Sequence, residues 1–262
     1  MLLALDAGNS TITAGCIENG EIRARATFST TRRTADEYAA LFAQALAMRG
    51  IEPRGFTGAA MACVVPQLVA VLHEALRLLT GTEALIVGAG VRTGLNIGID
   101  DPSQLGADLV SIAVGALSRW EPPLIIADLD TATTVYVIDE NARMLGGAIL
   151  PGAVVSLDAL AGRASLLPSI TLEAPRRCIG TNTNDCMKSG AVFGTASAID
   201  GMIDRFESEL GITARYAATG VLAKLIVPYC QHDLEIDDAL SLRGLARIWE
   251  RNKAARPPRR KN

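Results

Sequence analysis

The chain has 262 residues and a formal net charge of −3, and 49% of its residues are hydrophobic. A disordered chain would be poor in apolar residues and rich in net charge, so this composition predicts a folded protein long enough for two cores. Only 4% of the residues are aromatic and there is no basic excess. Both observations argue against a nucleic-acid-binding surface.

The five cysteines are scattered, no CxxC pair occurs and there are two histidines. This pattern favours reduced thiols in a cytosolic protein over a disulfide framework or a Cys/His zinc site. Asp6 interrupts the N-terminal apolar run, so no secretory signal is predicted. No uninterrupted apolar run approaches the ~18 residues of a membrane helix, so no membrane association is expected.

The first half is predicted to contain three strands, a helix, a strand, a helix and a strand. The strands are predicted over 2–5, 12–17, 22–28, 56–65 and 84–87. Asn19-Gly20 predicts a hairpin turn, and Thr34–Glu37 is a capping box that begins the first helix. Gly50 is predicted to end that helix, and Gly81 to end a second helix over 67–79.

The second half repeats this opening. A helix over 107–118 is followed by Pro122-Pro123, and strands are then predicted over 124–127, 133–138, 144–149 and 214–218, with helices over 156–160, 184–210 and 242–252. The polar loops that begin at Asp6 and Asp128 are offset by 122 residues. The duplication predicts two α/β domains, 1–120 and 121–252, with a cleft between the matching loops. Residues 253–262 are predicted to be a disordered basic tail.

The residues from Asp6 to Thr13 place a carboxylate at a strand end, followed by glycine and small polar residues. Glycine lets backbone N–H groups approach a phosphate, small hydroxyls donate to its oxygens, and the carboxylate suits Mg²⁺. A plain Asx turn is the alternative for one such loop. The loop from Asp128 to Thr134 repeats the pattern, and two such loops in duplicated positions favour phosphate binding.

Two further segments carry polar groups. Asp108 lies in the first turn of a predicted helix, where it is either a general base for a substrate hydroxyl or a carboxylate facing the helix dipole. Gly180–Thr183 could bind a phosphate or a polar amide, and the alternative is an N-cap at Thr183. No Walker A, GxGxxG, HRD or DFG pattern is present in the sequence, which argues against P-loop and protein-kinase folds.

Together these motifs resemble the type III pantothenate kinase family from Met1 to about Asn252. The resemblance rests on DAGNS from Asp6, ACVVP ending at Pro66, DPSQLGAD ending at Asp108, DLDTATT from Asp128, LGGAILPG ending at Gly152, IGTNT ending at Thr183, SGAVFG from Ser189, AATG ending at Gly220 and LSLRGL ending at Leu245. It implies the duplicated RNase-H-like fold of the superfamily of acetate and sugar kinases, heat-shock ATPases and actin. It also implies ATP-dependent phosphorylation of pantothenate to 4′-phosphopantothenate, the first step of coenzyme A synthesis.

The resemblance also implies residue roles. The implied ATP-binding residues are Asp6, Ala7, Gly8, Asn9, Ser10, Thr11, Ile12, Thr13 and Thr131. Asp108 would accept the proton of the pantothenate hydroxyl, Asp6 would lie near Mg²⁺, and Asp128 would bind a monovalent cation, K⁺ or NH₄⁺. The implied substrate-binding residues are Gly106, Ala107, Asp108, Leu109 and Thr183. A homodimer is implied as well, with pantothenate near the subunit interface.

Four positions depart from the usual family pattern. Leu109 stands where arginine is usual, and Asp130 and Val221 stand where glycine is usual. Ile99 lies where members often carry tyrosine. These departures keep two alternatives open: a kinase for another small hydroxylated substrate, and a catalytically impaired or non-enzymatic relative that binds a ligand and regulates.

Overall fold

The computed structural model describes residues 1–52 and 55–253, which form two compact units. Unit 1 contains residues 1–95, 100–119 and the chain from Ala239, whereas unit 2 contains Asn96–Ile99 and Trp120–Asp238. The predicted tail lies outside the described residues, apart from Lys253. Each unit has its own β-sheet and its own helices.

Eleven strands and seven α-helices occur in the described part of the chain. In chain order they are β1 (Leu2–Ala7), β2 (Thr11–Glu18), β3 (Glu21–Ser29), α1 (Ala35–Ala47), β4 (Gly58–Cys63), α2 (Pro66–Thr80), β5 (Leu85–Ile86), β6 (Asn96–Ile97), α3 (Ala107–Leu117), β7 (Leu124–Leu129), β8 (Ala132–Ile138), β9 (Arg143–Pro151), α4 (Ala153–Arg163), α5 (Thr183–Leu210), β10 (Arg215–Thr219), α6 (Ala223–Ile226), β11 (Glu235–Ile236) and α7 (Leu240–Lys253). Within residues 1–52 and 55–253, no helix combines the length and hydropathy needed to cross a membrane.

The two sheets have the same strand order. The sheet of unit 1 runs β3-β2-β1-β4-β5, and the sheet of unit 2 runs β9-β8-β7-β10-β11, with β6 added beside β9. In both, the first three strands are antiparallel and the next two are parallel to the first. The predicted duplication of an RNase-H-like unit is therefore confirmed.

Local signals explain much of this architecture. Asn19 and Gly20 both have positive φ, at 53° and 81°, as the two-residue turn between β2 and β3 requires. The side chains of Thr34 and Glu37 cap α1 reciprocally, which confirms the predicted capping box. Gly81 ends α2 in the left-handed region, as predicted. The first helix ends at Ala47, before the predicted stop at Gly50.

The last helix, α7, belongs to unit 1, whereas the sequence grouped it with the second half of the chain. The reason is a close approach between α7 and α3 at two glycines. A Cβ added to Gly115 would lie 2.0 Å from the carbonyl oxygen of Leu240, and one added to Gly244 would lie 1.7 Å from that of Ser111. The two backbones are in direct contact at this seam, so α7 fixes α3, the helix that carries Asp108 in its first turn.

We expect Gly244→Ala to lower the free energy of unfolding, because its Cβ would force α3 and α7 apart. Overpacking of this kind costs about 1–3 kcal/mol. Gly194→Ala in α5 is the matched control, since nothing lies within 4 Å of its added Cβ. There the substitution should stabilise the helix by about 0.5–1 kcal/mol. Urea unfolding of both variants measures the difference, and equal midpoints would contradict the close approach at the seam.

Candidate functional site

The loop between β1 and β2 is a tight turn fixed to the end of β3. The N–H of Gly8 donates to the carbonyl of Thr11 at 2.9 Å, which closes the turn. The Thr30 hydroxyl donates to the carbonyl of Gly8 at 2.8 Å, and the Thr30 N–H donates to that of Ser10 at 2.9 Å. Asn9 and Ser10 remain exposed. The turn therefore presents small polar residues on a rigid backbone, as a phosphate-binding loop requires.

Asp6 lies on β1 between Thr13 of β2 and Ala62 of β4. The adjoining Cys63 thiol is half-buried, and its pKa is raised by burial and further by the negative charge of Asp6. The charge of the Asp6 carboxylate therefore affects a side chain at the end of β4 as well as its own loop. It lies at the carboxyl end of the central strand, where open α/β sheets bind ligands.

Val64 connects this loop with the start of α3. Its N–H donates to the carbonyl of Ala7 at 3.0 Å. Its Cγ1 lies 3.6 Å from the position that a Cβ on Gly106 would occupy. Within unit 1, the segment from Asp6 to Thr13 and the segment from Gly106 to Leu109 therefore share a neighbour.

Asp108 lies in the first turn of α3, and its Oδ1 accepts the N–H of Leu109 at 2.7 Å. Burial raises the pKa of this carboxyl, although the hydrogen bonds from backbone N–H groups oppose the shift. A Cβ on Gly106 would lie 2.3 Å from Oδ1 of Asp108, so glycine at this position leaves room for the carboxylate. A partly desolvated carboxylate with a raised pKa is a stronger base than an ordinary aspartate, as general-base chemistry requires.

The loop between β7 and β8 has the corresponding turn in unit 2, where the Asp130 N–H donates to the carbonyl of Ala132 at 3.0 Å. Two glycines pack on its backbone. A Cβ on Gly152 would lie 2.3 Å from the carbonyl oxygen of Thr131, and one on Gly220, whose φ is +94°, would lie 2.4 Å from that of Leu129. Neither position therefore accepts a larger residue without moving the loop. This requirement explains the glycines that end LGGAILPG and AATG.

Two hydroxyls of this loop are buried and have no hydrogen-bond partner among the residues that the structure describes. They are Oγ1 of Thr133, which is 1% exposed, and Oγ1 of Thr134. Thr134 lies directly opposite Asp128 in the antiparallel pairing of β7 and β8. Buried hydroxyls are normally hydrogen-bonded, so each of these oxygens calls for an explanation such as a bound ion or water. Carboxylate and hydroxyl oxygens suit hard cations, and the residues beside Asp128 therefore fit a cation.

Asp130 is one of the residues that differ between the two copies of the loop. With the offset of 122 residues, Asp130 occupies the position that Gly8 holds in unit 1. The N–H of Asp130 donates to the carbonyl of the second residue after it, whereas that of Gly8 donates to the third, so the turn in unit 2 is one residue shorter. The change adds a second carboxylate close to Asp128 in sequence. Val221, which follows Gly220, is 58% exposed beside the same loop.

Thr183 lines a cavity of about 720 Å³ in unit 2. Its walls come from α4, α5 and the segment before α5, and they combine apolar side chains with hydroxyl and amide groups; the lining residues include Ser156, Leu157, Leu160, Leu167, Asn182 and Met187. The N-cap of α5 is Asn182, whose Oδ1 accepts the N–H of Asp185 at 3.0 Å. The alternative role of Thr183 as N-cap was therefore wrong, and its side chain is exposed.

A sequence model of the family described as type III pantothenate kinase matches residues 2–205. A protein named type III pantothenate kinase from Anaeromyxobacter sp. (strain Fw109-5) is 39% identical over 97% of this chain and all of its own length. One of the same name from Moorella thermoacetica is 38% identical over 96% of the chain and all of its own length. The chain belongs to the type III pantothenate kinase family.

Solved structures of other proteins show that the fold of this chain occurs beyond its own sequence family. Component A of (R)-2-hydroxyglutaryl-CoA dehydratase from Acidaminococcus fermentans has a TM-score of 0.57 at 14% identity, over 97% of this chain and 99% of that one. The activator of 2-hydroxyisocaproyl-CoA dehydratase from Clostridium difficile, solved with bound ADPNP, has a TM-score of 0.53 at 12% identity, over 98% of each chain. The predicted fold of two duplicated RNase-H-like units is confirmed.

The structure groups the predicted site residues by unit. Unit 1 brings the Asp6–Thr13 loop near the segment from Gly106 to Leu109, through Val64. Unit 2 contains Asp128, Thr131 and Thr183. The sequence reasoning missed the supporting roles of Thr30 and Val64. Val64 lies in ACVVP, one of the motifs that carry the family resemblance, so that motif was the available signal.

Proposed function

We propose that this chain transfers a phosphoryl group from ATP to the hydroxyl of pantothenate and forms 4′-phosphopantothenate. The observation that carries the proposal is the membership of nearly the whole chain in the type III pantothenate kinase family. The buried carboxylate of Asp108, with its raised pKa, supports it. Phosphoryl transfer depends mainly on positioning and charge stabilisation, so a few carboxylates and loop amides suffice and histidine is not required.

Asp108 accepts the proton of the attacking hydroxyl in this mechanism. Desolvation raises the pKa of its carboxyl, so its ionised form is a better base than a solvated aspartate. The N–H of Leu109 holds Oδ1 in place, so the base is oriented by its own backbone. The substrate-binding residues that we propose are Gly106, Ala107, Asp108, Leu109 and Thr183.

The residues from Asp6 to Thr13 hold the phosphates through backbone N–H groups and small hydroxyls, and Thr131 contacts ATP. Asp6 offers a carboxylate oxygen for Mg²⁺, and such ligation by one or two carboxylates together with phosphate oxygens is typical of Mg²⁺ sites. Asp128, with the Oγ1 of Thr134 buried opposite, offers oxygens for K⁺ or NH₄⁺. When bound, these cations neutralise the charge of the phosphates.

The proposal includes a cytoplasmic homodimer with pantothenate near the subunit interface. Six large apolar residues between positions 149 and 179 of unit 2 are exposed, and a subunit contact that covered them would remove apolar area from water. They are Ile149, Val154, Val155, Leu160, Leu166 and Ile179, and Ile149 and Leu166 are 78% and 92% exposed.

A coupled assay of ADP release tests this function. Purified protein with ATP, Mg²⁺ and K⁺ should release ADP when pantothenate is added, and more slowly when K⁺ is omitted. Pantothenol, which has a hydroxyl in place of the carboxylate, should be a poorer substrate. Turnover with pantothenol alone would instead support a kinase for another substrate. Binding of both ligands without turnover, in a folded protein, would support the non-enzymatic relative.

A further inference from the structure

The Asp6–Thr13 loop contains no lysine or arginine. Its one charged residue is Asp6, and a bound nucleoside triphosphate brings several more negative charges to the same place. Protein sites balance the charge of phosphates with arginine, lysine or a metal ion. A cationic side chain close to this loop would therefore change its affinity for phosphates, and the chain that follows β3 supplies candidates.

The chain that leaves β3 is fixed to the loop on one side and to α1 on the other. The Thr30 hydroxyl and N–H donate to the carbonyls of Gly8 and Ser10 at 2.8 and 2.9 Å. One residue further, the carbonyl of Thr31 accepts a hydrogen bond from the Tyr38 hydroxyl of α1. These hydrogen bonds fix the backbone of residues 30 and 31 beside the loop. The position at which residue 32 leaves this backbone is therefore fixed as well.

Arg32 and Arg33 come next in the chain, and both are exposed. Hydrogen bonds from Thr34 lower the pKa of Glu37 in α1, and the charge of Arg33 lowers it further to a smaller extent. For Arg32, no hydrogen bond or ion pair occurs with any residue that the structure describes. Its guanidinium therefore keeps all five N–H donors for a ligand. This unpaired guanidinium belongs to a residue only two positions beyond Thr30, whose own backbone and hydroxyl are hydrogen-bonded to the loop.

We propose that Arg32 binds the β- and γ-phosphates of the nucleotide held by the Asp6–Thr13 loop, with Arg33 adding positive potential. The inference rests on the proposed function, because it takes this loop as phosphate-binding. The planar fork of a guanidinium matches two phosphate oxygens, which makes such bonds stronger than those to a neutral donor. The ligand class is nucleoside di- and triphosphates, and adenosine lacks the groups that Arg32 binds.

Isothermal titration calorimetry of the full chain tests this assignment with Mg²⁺·ATP and with adenosine. Arg32→Gln should weaken the binding of Mg²⁺·ATP by about tenfold or more, and leave that of adenosine unchanged. Arg49→Gln is the matched control. This variant also removes one positive charge. Arg49 follows the C-terminal end of the 13-residue helix α1, about 20 Å from the N-terminal end of that helix, which Arg32 precedes. The control should bind both ligands as the wild type does.

Each other outcome counts against the assignment. Wild-type affinity for Mg²⁺·ATP in Arg32→Gln would overturn it and leave the proposed function standing, provided that the wild type phosphorylates pantothenate. Equal losses for ATP and adenosine would indicate a structural role for Arg32 and would also overturn it. If the wild type itself binds no Mg²⁺·ATP, the assignment and the proposed function both fail.

Discussion

Asp108→Asn should lower kcat by about 10²–10⁴-fold, the usual contribution of general-base catalysis. Asparagine keeps the shape of the side chain and can still accept the N–H of Leu109, but it cannot take the substrate's proton. The KM for pantothenate should change less than kcat, because Asp108 is one of five proposed substrate-binding residues but is alone in taking the proton. Steady-state kinetics of wild type and variant measure both parameters. A variant with wild-type kcat would exclude Asp108 as the base.

Because the pKa of Asp108 is raised, the thermal stability of Asp108→Asn provides a second test. Burial favours the neutral carboxyl in the folded protein, so the folded state binds more protons than the unfolded state between the two pKa values. Stability due to this group is therefore lost as the pH rises through that window, and Asp108→Asn should raise Tm at pH 7. The acid limb of the wild-type kcat/KM profile should lie above the ordinary value of 3.8, because the base must be ionised to act. A lower Tm in the variant would contradict the burial argument.

Leu109→Arg combined with Asp130→Gly should raise kcat/KM for pantothenate by about tenfold or more. A charged hydrogen bond to a carboxylate contributes about 1.5–3 kcal/mol, and about 1.4 kcal/mol corresponds to a factor of ten. Leu109 is half-buried in the first turn of α3, next to Asp108, so an arginine there is placed for the carboxylate of pantothenate. Asp130→Gly removes a negative charge from the second loop and restores the glycine found at the duplicated position.

The single variants separate these two effects. Leu109→Arg should act on the KM for pantothenate but not on that for pantothenol, which has no carboxylate. Asp130→Gly should act on the KM for ATP, with little change for pantothenate. If the double variant is no faster and the wild type already turns over efficiently, other residues compensate for both departures, and the loop of unit 2 tolerates the carboxylate of Asp130.

Local features of the fold could be predicted from the sequence because a few neighbouring residues determine them. Asn19-Gly20 sets the turn between β2 and β3, and Thr34 with Glu37 sets the start of α1. The duplication was visible as well, since the two loops recur with the same order of strands. The N-cap of α5 was harder to choose because Asn182 and Thr183 are both good capping residues, and the structure selects Asn182.

Non-local contacts could not be predicted in this way. The grouping of α7 with unit 1 depends on Gly115 meeting Gly244, which are 129 positions apart in the chain. The two-residue strands β6 and β11 are too short to leave a hydropathy pattern. For the candidate site, the sequence offered Asp108 as a candidate base, but its burial and the direction of its pKa shift depend on the packing of the folded chain.

Mass spectrometry of the product shows whether this chain phosphorylates pantothenate. Wild-type protein incubated with ATP, Mg²⁺, K⁺ and pantothenate should form 4′-phosphopantothenate in step with ADP, and Asp108→Asn should form almost none. Absence of phosphopantothenate with the folded wild type, or ADP release that pantothenate does not increase, would contradict the account.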